Sequence, residues 1–134
     1  MQATTTENIN NSFFDGVYKD IWRRLIPDGL TKAENDWILQ EANLQAGDRL
    51  IDLMCGYGRH ALALARKGIH VTAVDNLKEY VEEIRSTAQK ENLPVECLEQ
   101  DVLKLDVIRS SIVNYTSLSS NTTAANSAFA TWRR

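Results

Sequence analysis

The stretch Arg49 to Ala61, RLIDLMCGYGRHA, leaves little freedom in how its surroundings fold. Leu50, Ile51 and Leu53 make an apolar run suited to a buried parallel strand. Gly56 and Gly58 then allow a tight turn with close backbone approach at the start of a helix. The spacing is G-x-G-x-x-A, with Ala61 in the third place, where a small residue lets helix and strand pack closely. The next residues fit the same unit. Arg59 to Lys67 reads as a helix, Gly68 closes it, Ile69 to Val74 reads as a second strand, and Asp75 stands about 20 residues past the first glycine, where an acid meets a ribose. Strand, glycine turn, helix, strand and acid in this order predict an α/β fold built on a Rossmann-like parallel sheet, with the turn as a cofactor-binding element.

The flanking segments extend that unit. Met1 to Asn11 is polar and carries no periodicity. Ser12 can cap a helix with Asp15 in its first turn and Phe14, Val17, Ile21 and Leu25 along one face, and Pro27 ends it. A second helix starts near Leu30, with Thr31-Lys-Ala-Glu34 as a capping box and Trp37, Ile38 and Leu44 as its apolar stripe. The aromatic residues Tyr18 and Trp22 read first as packing. Gln45-Ala-Gly47-Asp48 makes the turn into the first strand. After Asp75, Asn76 can cap a helix with Glu79 at its third position. Leu77, Tyr80, Val81, Ile84 and Ala88 form its buried stripe, and Asn92-Leu93-Pro94 ends it. Val95 to Glu99 reads as a third strand, with Asp101 just past its carboxyl end, the edge at which open α/β sheets bind ligands.

Size and charge narrow the function. The 134 residues allow one compact domain, and a net charge of −3 supplies no broad basic field for nucleic acid or an anionic bilayer. No apolar run approaches the roughly 18 residues of a membrane span, and MQATTTENINNS does not have the form of a signal peptide, so the expected location is the cytoplasm. Cys55 and Cys97 lack metal-ligand spacing and read as reduced thiols. His60 and His70 make no cluster with them, so no metal is expected.

The run IDLMCGYGRHALALARKGIHVTAVDN resembles motif I and its sequel in class I S-adenosylmethionine-dependent methyltransferases, whose pattern is an acid, two residues, Cys-Gly-x-Gly, a helix, then strand and acid. The nearest likeness is to small, predominantly bacterial methyltransferase domains sharing Cys-Gly-x-Gly-Arg-His, and it covers roughly Phe13 to Asp106. The resemblance implies S-adenosylmethionine as cofactor, held by Asp52, Cys55, Gly56, Gly58, Asp75, Asn76, Asp101 and Val102. Asp75 is suited to the ribose diol, since a carboxylate can accept both hydroxyl protons. Asp52 could engage the methionine amino group directly or through water. Gly56 and Gly58 remove side chains that would keep the methionine moiety from the turn's backbone. Asp101 would accept from the adenine amino group, and the backbone of Val102 would read the ring edge. Arg59 and His60, at the helix start, are available for the carboxylate. The N-terminal helices would lie over the site, with Tyr18, Trp22 and Arg23 facing its methionine end. Methyl transfer is an in-line displacement dominated by positioning, and no residue is singled out as catalytic.

Beyond Asp106 the resemblance fails. The family continues with a fourth strand beside the first and then three more, whereas Ile108 to Ile112 is a mixed fragment and Asn114 to Thr131 is rich in Ser, Thr, Asn and Ala, a composition nearer to linker than to sheet. The expected organisation is a loose segment over residues 1–11, the cofactor domain with its helical lid over 12–107, and an atypical tail over 108–134. Such a chain reads as a shortened or altered form of a larger enzyme. Its first strand would have an open edge, inviting a homodimer unless Ile108 to Leu118 supplies a substitute strand. Asn114-Tyr-Thr116 and Asn121-Thr-Thr123 have the glycosylation pattern, which a cytoplasmic chain would not use. The leading function is methyl transfer to a small-molecule acceptor. The others are a cofactor-binding fragment without catalytic competence and a nicotinamide-dependent oxidoreductase. Asp52, Cys55 and Asp101 argue against the last.

Overall fold

A computed structural model of the chain describes residues 16–104 and the backbone of 128–132. In chain order these hold α1 (Val17–Leu25), α2 (Leu30–Glu41), β1 (Arg49–Leu53), α3 (Arg59–Ala65), β2 (His70–Asp75), α4 (Lys78–Glu91), β3 (Val95–Glu99), a 3-10 turn (Val102–Lys104) and β4 (Ala128–Trp132). The strands lie in the order β3-β2-β1-β4. β1, β2 and β3 are parallel, with Asp52 beside Ala73 and Asp75 beside Glu99. The Rossmann-like α/β reading of the central unit therefore holds, as two successive strand-helix-strand crossovers.

The apolar pattern explains the core. Leu50 and Val71 on the strands, Leu64 on α3 and Ile84 on α4 are almost wholly excluded from solvent, with Ile38 of α2 and Leu44 beside them. In α4 the stripe Tyr80, Val81, Ile84 and Ala88 is buried as the 3.6-residue period requires. Asn92 takes the left-handed conformation that ends this helix, and the Leu93 amide donates back to the Ala88 carbonyl. Gly68, at φ 86, closes α3. Gln45 and Asp48 form the expected turn, the Gln45 amide donating to the Asp48 carboxylate at 2.8 Å.

Several expectations about the helices need correction. Val17, Ile21 and Leu25 do lie on one face of α1, but none is buried: they are 73%, 49% and 61% exposed. Ser12, Phe14 and Asp15 lie outside the described residues, and α1 begins after Gly16. Thr31 and Glu34 do not form a capping box, because the N-cap of α2 lies two residues before Thr31, at Gly29; both side chains reach toward Arg59 instead. Trp37 is 42% exposed, and the buried α2 positions are Asn35 and Ile38. Asn76 does not cap α4: the N-cap position is Leu77, whose amide donates to the Asp75 carboxylate.

A further correction concerns the sheet. The edge of β1 expected to lie open carries β4, which runs antiparallel to it with Ala130 beside Ile51. This strand comes from the stretch read as linker, and it removes the reason for pairing two chains through that edge. The expected substitute strand at Ile108 to Leu118, the glycosylation patterns and the loose N-terminal segment lie outside the described residues.

Candidate functional site

The carboxyl ends of the three parallel strands bring Asp52, Asp75 and Asp101 to one edge of the sheet. Between the first two runs the glycine turn. Its backbone alternates through the left-handed region, at Met54 (φ 56), Gly56 (φ 56) and Gly58 (φ 81), and so reverses direction within five residues. Two hydrogen bonds fasten it to β2. The Cys55 amide donates to the Val74 carbonyl at 3.1 Å, and the Gly56 amide donates to Asp75 Oδ2 at 2.8 Å.

Asp75 is the hub. Its second oxygen, Oδ1, accepts from the Leu77 amide at 2.9 Å, so the carboxylate is fixed between the glycine turn and the entry to α4. Each oxygen retains a lone pair for a further donor, which is what a diol requires.

Asp52 is fully buried beneath the turn, and neither carboxylate oxygen has a hydrogen-bond partner among the described residues. Burial, then the proximity of Asp75, push its pKa up to about 8. The Ala61 amide of α3 and the charge of Arg59 pull the other way. That amide offsets part of the burial penalty without closing a hydrogen bond of ordinary geometry. A buried acid held neutral with neither oxygen paired among the described residues is a costly feature that packing in an apolar core does not explain.

The two glycines differ in what surrounds them. A Cβ on Gly56 would meet nothing within 4 Å, whereas one on Gly58 would stand 2.5 Å from Ile84 Cγ1. The space beside Gly56 is open, and the missing side chain at Gly58 lets α4 close onto the turn. Cys55 is buried, with its thiol 3.7 Å from the Gly56 carbonyl, and burial raises its pKa far above the ordinary thiol range. It packs as an inert thiol. Asn76 is exposed beside Asp75. Asp101 Oδ1 accepts from the Leu103 amide at 3.0 Å, so its side chain shapes the turn in which Val102 sits.

Arg59 and His60 are committed elsewhere. Arg59 donates to the Thr31 hydroxyl at 3.1 Å and pairs with Glu34, while His60 Nδ1 lies 3.0 Å from the Asn35 side-chain oxygen. Burial, then the Arg59 charge, lower the His60 pKa to about 4, and Glu34 opposes them. These contacts clamp the first turn of α3 to α2. Sequence reasoning does not find Glu34 and Asn35 as partners; a polar residue at a core-facing helical position is the only signal for Asn35. Arg23 of α1 lies 4.4 Å from the centre of the Tyr57 ring.

Among the described residues no group of three or more His, Cys, Asp or Glu is placed to hold a metal ion. No helix there is long and apolar enough to cross a membrane. A cleft of about 280 Å3 opens at the opposite edge of the sheet, where Arg49, His70 and Val95 begin their strands, and it includes none of the three acids.

Comparison with known proteins bears on the same turn. A family model described as a methyltransferase domain matches residues 50–134, and so runs past the boundary drawn at 107. The S-adenosyl-L-methionine-dependent Diels-Alderase of Talaromyces variabilis is 49% identical over 51 residues, 38% of this chain and 18% of that protein. Carboxy-S-adenosyl-L-methionine synthase of Stutzerimonas stutzeri is 36% identical over 107 residues, 72% of this chain and 43% of that one. Among solved structures, magnesium protoporphyrin IX methyltransferase of Synechocystis PCC 6803 with bound S-adenosylmethionine matches at 25% identity and a TM-score of 0.55, over 72% of this chain and 55% of the other. The chain spans less than half the length of these two curated relatives.

Proposed function

The chain belongs to the methyltransferase domain family, and from that membership we propose that it binds S-adenosylmethionine at the glycine turn and passes its methyl group to a small-molecule acceptor. The observation that carries the reading is the fixing of Asp75 by the Gly56 and Leu77 amides, which orients a carboxylate for a ribose diol beside an open glycine. Asp75 would take the two hydroxyls. The space over Gly56 would admit the methionine moiety, and Asp52 would receive its ammonium group, which by its charge returns the acid to the ionised form. Asp101 and the backbone of Val102 would meet the adenine. The bound cofactor supplies an electrophilic methyl group on a sulfonium; the chain's own part is to hold that group and exclude water from it. Cys55 and Asn76 frame the site, as a buried wall and an exposed polar neighbour.

The same reading assigns a cytoplasmic enzyme, supported by two free cysteines, and a neutral or small charged acceptor in preference to nucleic acid, supported by the net charge of −3. Calorimetric titration with S-adenosylmethionine, S-adenosylhomocysteine and NAD tests the cofactor. Binding of the adenosyl ligands alone is expected, and Asp75→Ala should weaken it by about 1.5–3 kcal/mol, the scale of hydrogen bonds to a charged group. Unchanged affinity in a folded Asp75→Ala protein would overturn the assignment. Transfer of labelled methyl to a metabolite extract, but not to total RNA, is the result expected for the acceptor.

A further inference from the structure

α1 contributes no buried residue, and its long apolar side chains face outward. Among the described residues, two regularly spaced ion pairs tie it to α4. Lys19 Nζ lies 2.8 Å from Glu79 Oε2, and Arg23 Nη2 lies 2.5 Å from Glu83 Oε2. Lys19 and Arg23 are one helical turn apart on α1, and Glu79 and Glu83 are one turn apart on α4, so the two pairs form a ladder of two rungs. The upper rung has a third member. The Arg23 guanidinium stands over the ring of Tyr57, the residue between Gly56 and Gly58, and that ring in turn meets Tyr80 of α4 with centroids 6.5 Å apart. A left-handed Gly29, two residues past Pro27, lies between α1 and α2 as the N-cap of α2.

We infer that Arg23 is a positioning residue that straps α1 across the glycine turn by charge and, through Tyr57, holds the turn in the conformation that receives the cofactor. The inference rests on the cofactor reading above for its functional half, while the strap itself stands on the ion pairs and the ring contact. Arginine is required at this place. Its flat guanidinium can stack on Tyr57 while donating sideways to Glu83, and a lysine ammonium cannot do both. Because exposed ion pairs are screened as the Debye length falls from about 10 Å at 0.1 M salt to about 3 Å at 1 M, the strap loosens with salt, where an apolar seat would not.

The test uses the full chain and two readouts. Without ligand, hydrogen exchange of the α1 amides should quicken about tenfold between about 0.05 M and about 1 M salt, and equally in Arg23→Ala at low salt, with α4 unaffected. Lys19→Glu and Glu79→Lys should each quicken it, and the two together should restore most of the protection. Arg23→Lys should not recover the wild-type rate. With ligand, the affinity for S-adenosylhomocysteine should fall about three- to tenfold in Arg23→Ala and become salt-sensitive in the wild type. Exchange that ignores salt, Arg23→Ala and the charge swap would overturn the strap. Faster exchange with unchanged affinity would overturn the positioning role. A wild-type chain that shows the exchange pattern and binds no adenosyl ligand would overturn the cofactor reading and the positioning role with it, leaving the strap established.

Discussion

Gly56 and Gly58 share a motif but answer to different neighbours, and single substitutions should separate them. Gly58→Ala places a Cβ against Ile84 at a left-handed φ of 81, so overpacking and backbone strain combine; a loss of about 2–4 kcal/mol in urea unfolding is expected. Gly56→Ala meets no atom and should lose only about 1–2 kcal/mol of stability, yet weaken adenosyl-ligand binding at least as much as Asp75→Ala does. The sequence places both glycines in the turn, but their difference depends on where Ile84 arrives once α4 has folded. Asp52 gives a pH signature. Its folded pKa of about 8 lies above the unfolded carboxylate value near 4, so the folded state keeps the extra proton between the two. Its contribution is complete at low pH and is lost as pH rises toward 8. His60 runs oppositely: lowered to about 4, it favours folding above its unfolded value of 6.5 and loses that benefit as pH falls toward 4. The two slopes oppose each other between pH 4 and 6.5, and from 6.5 to 8 only Asp52 acts. Stability should therefore fall across that upper interval by up to about 1.4 kcal/mol per pH unit, and Asp52→Asn should flatten the fall. Denaturant midpoints taken at half-unit pH steps decide it.

The helices show where local patterning succeeds and where it misleads. The buried face of α4 and its Asn92-Leu93-Pro94 stop come directly from periodicity and backbone preference, because a helix lying on a sheet buries one continuous stripe. α2 breaks that logic. Thr31 and Glu34 have the spacing of a capping box, but Gly29 begins the helix, and the released side chains are used between elements, on Arg59. A motif of four residues cannot reveal that a guanidinium from the next crossover competes for its carboxylate. Asn35 and His60 extend the same seam, buried side by side. This clamp makes a prediction about coupling. Arg59 and Glu34 are both mostly sheltered, so Glu34→Ala leaves a poorly solvated cation and should cost about 1–3 kcal/mol, while adding Arg59→Ala should cost much less than the sum of the two. A thermal-unfolding cycle on the four proteins gives a coupling energy of about 0.5–3 kcal/mol if the seam works as described. Simple additivity would mean that α2 is held by Ile38 and its apolar neighbours alone.

At the scale of the molecule, the order β3-β2-β1 is legible in the sequence because each crossover announces itself: strand, glycine turn or cap, helix, strand. β4 is not. The sequence before Ala128 to Trp132 carries no helix periodicity and no turn signal to fix its partner, and its composition blends into the Ser- and Thr-rich residues that precede it. Its place is decided by what β1 lacks: a parallel strand whose far edge is unpaired offers a row of backbone donors and acceptors, and antiparallel pairing satisfies them with any chain of adequate length. Removing residues 128–134 tests this. The shortened chain would expose the β1 edge directly beside Leu53 and the glycine turn, with the backbone groups that now face β4 left to water. It should unfold at a lower denaturant concentration and elute from size-exclusion chromatography as dimers or larger species as protein concentration rises. A strand-breaking substitution such as Ile51→Pro in the same shortened chain should prevent the association only by abolishing the fold. A shortened chain that stays monomeric at the wild-type midpoint would show that β1 tolerates its open edge, and that β4 contributes nothing to holding the turn where Asp75 fixes it.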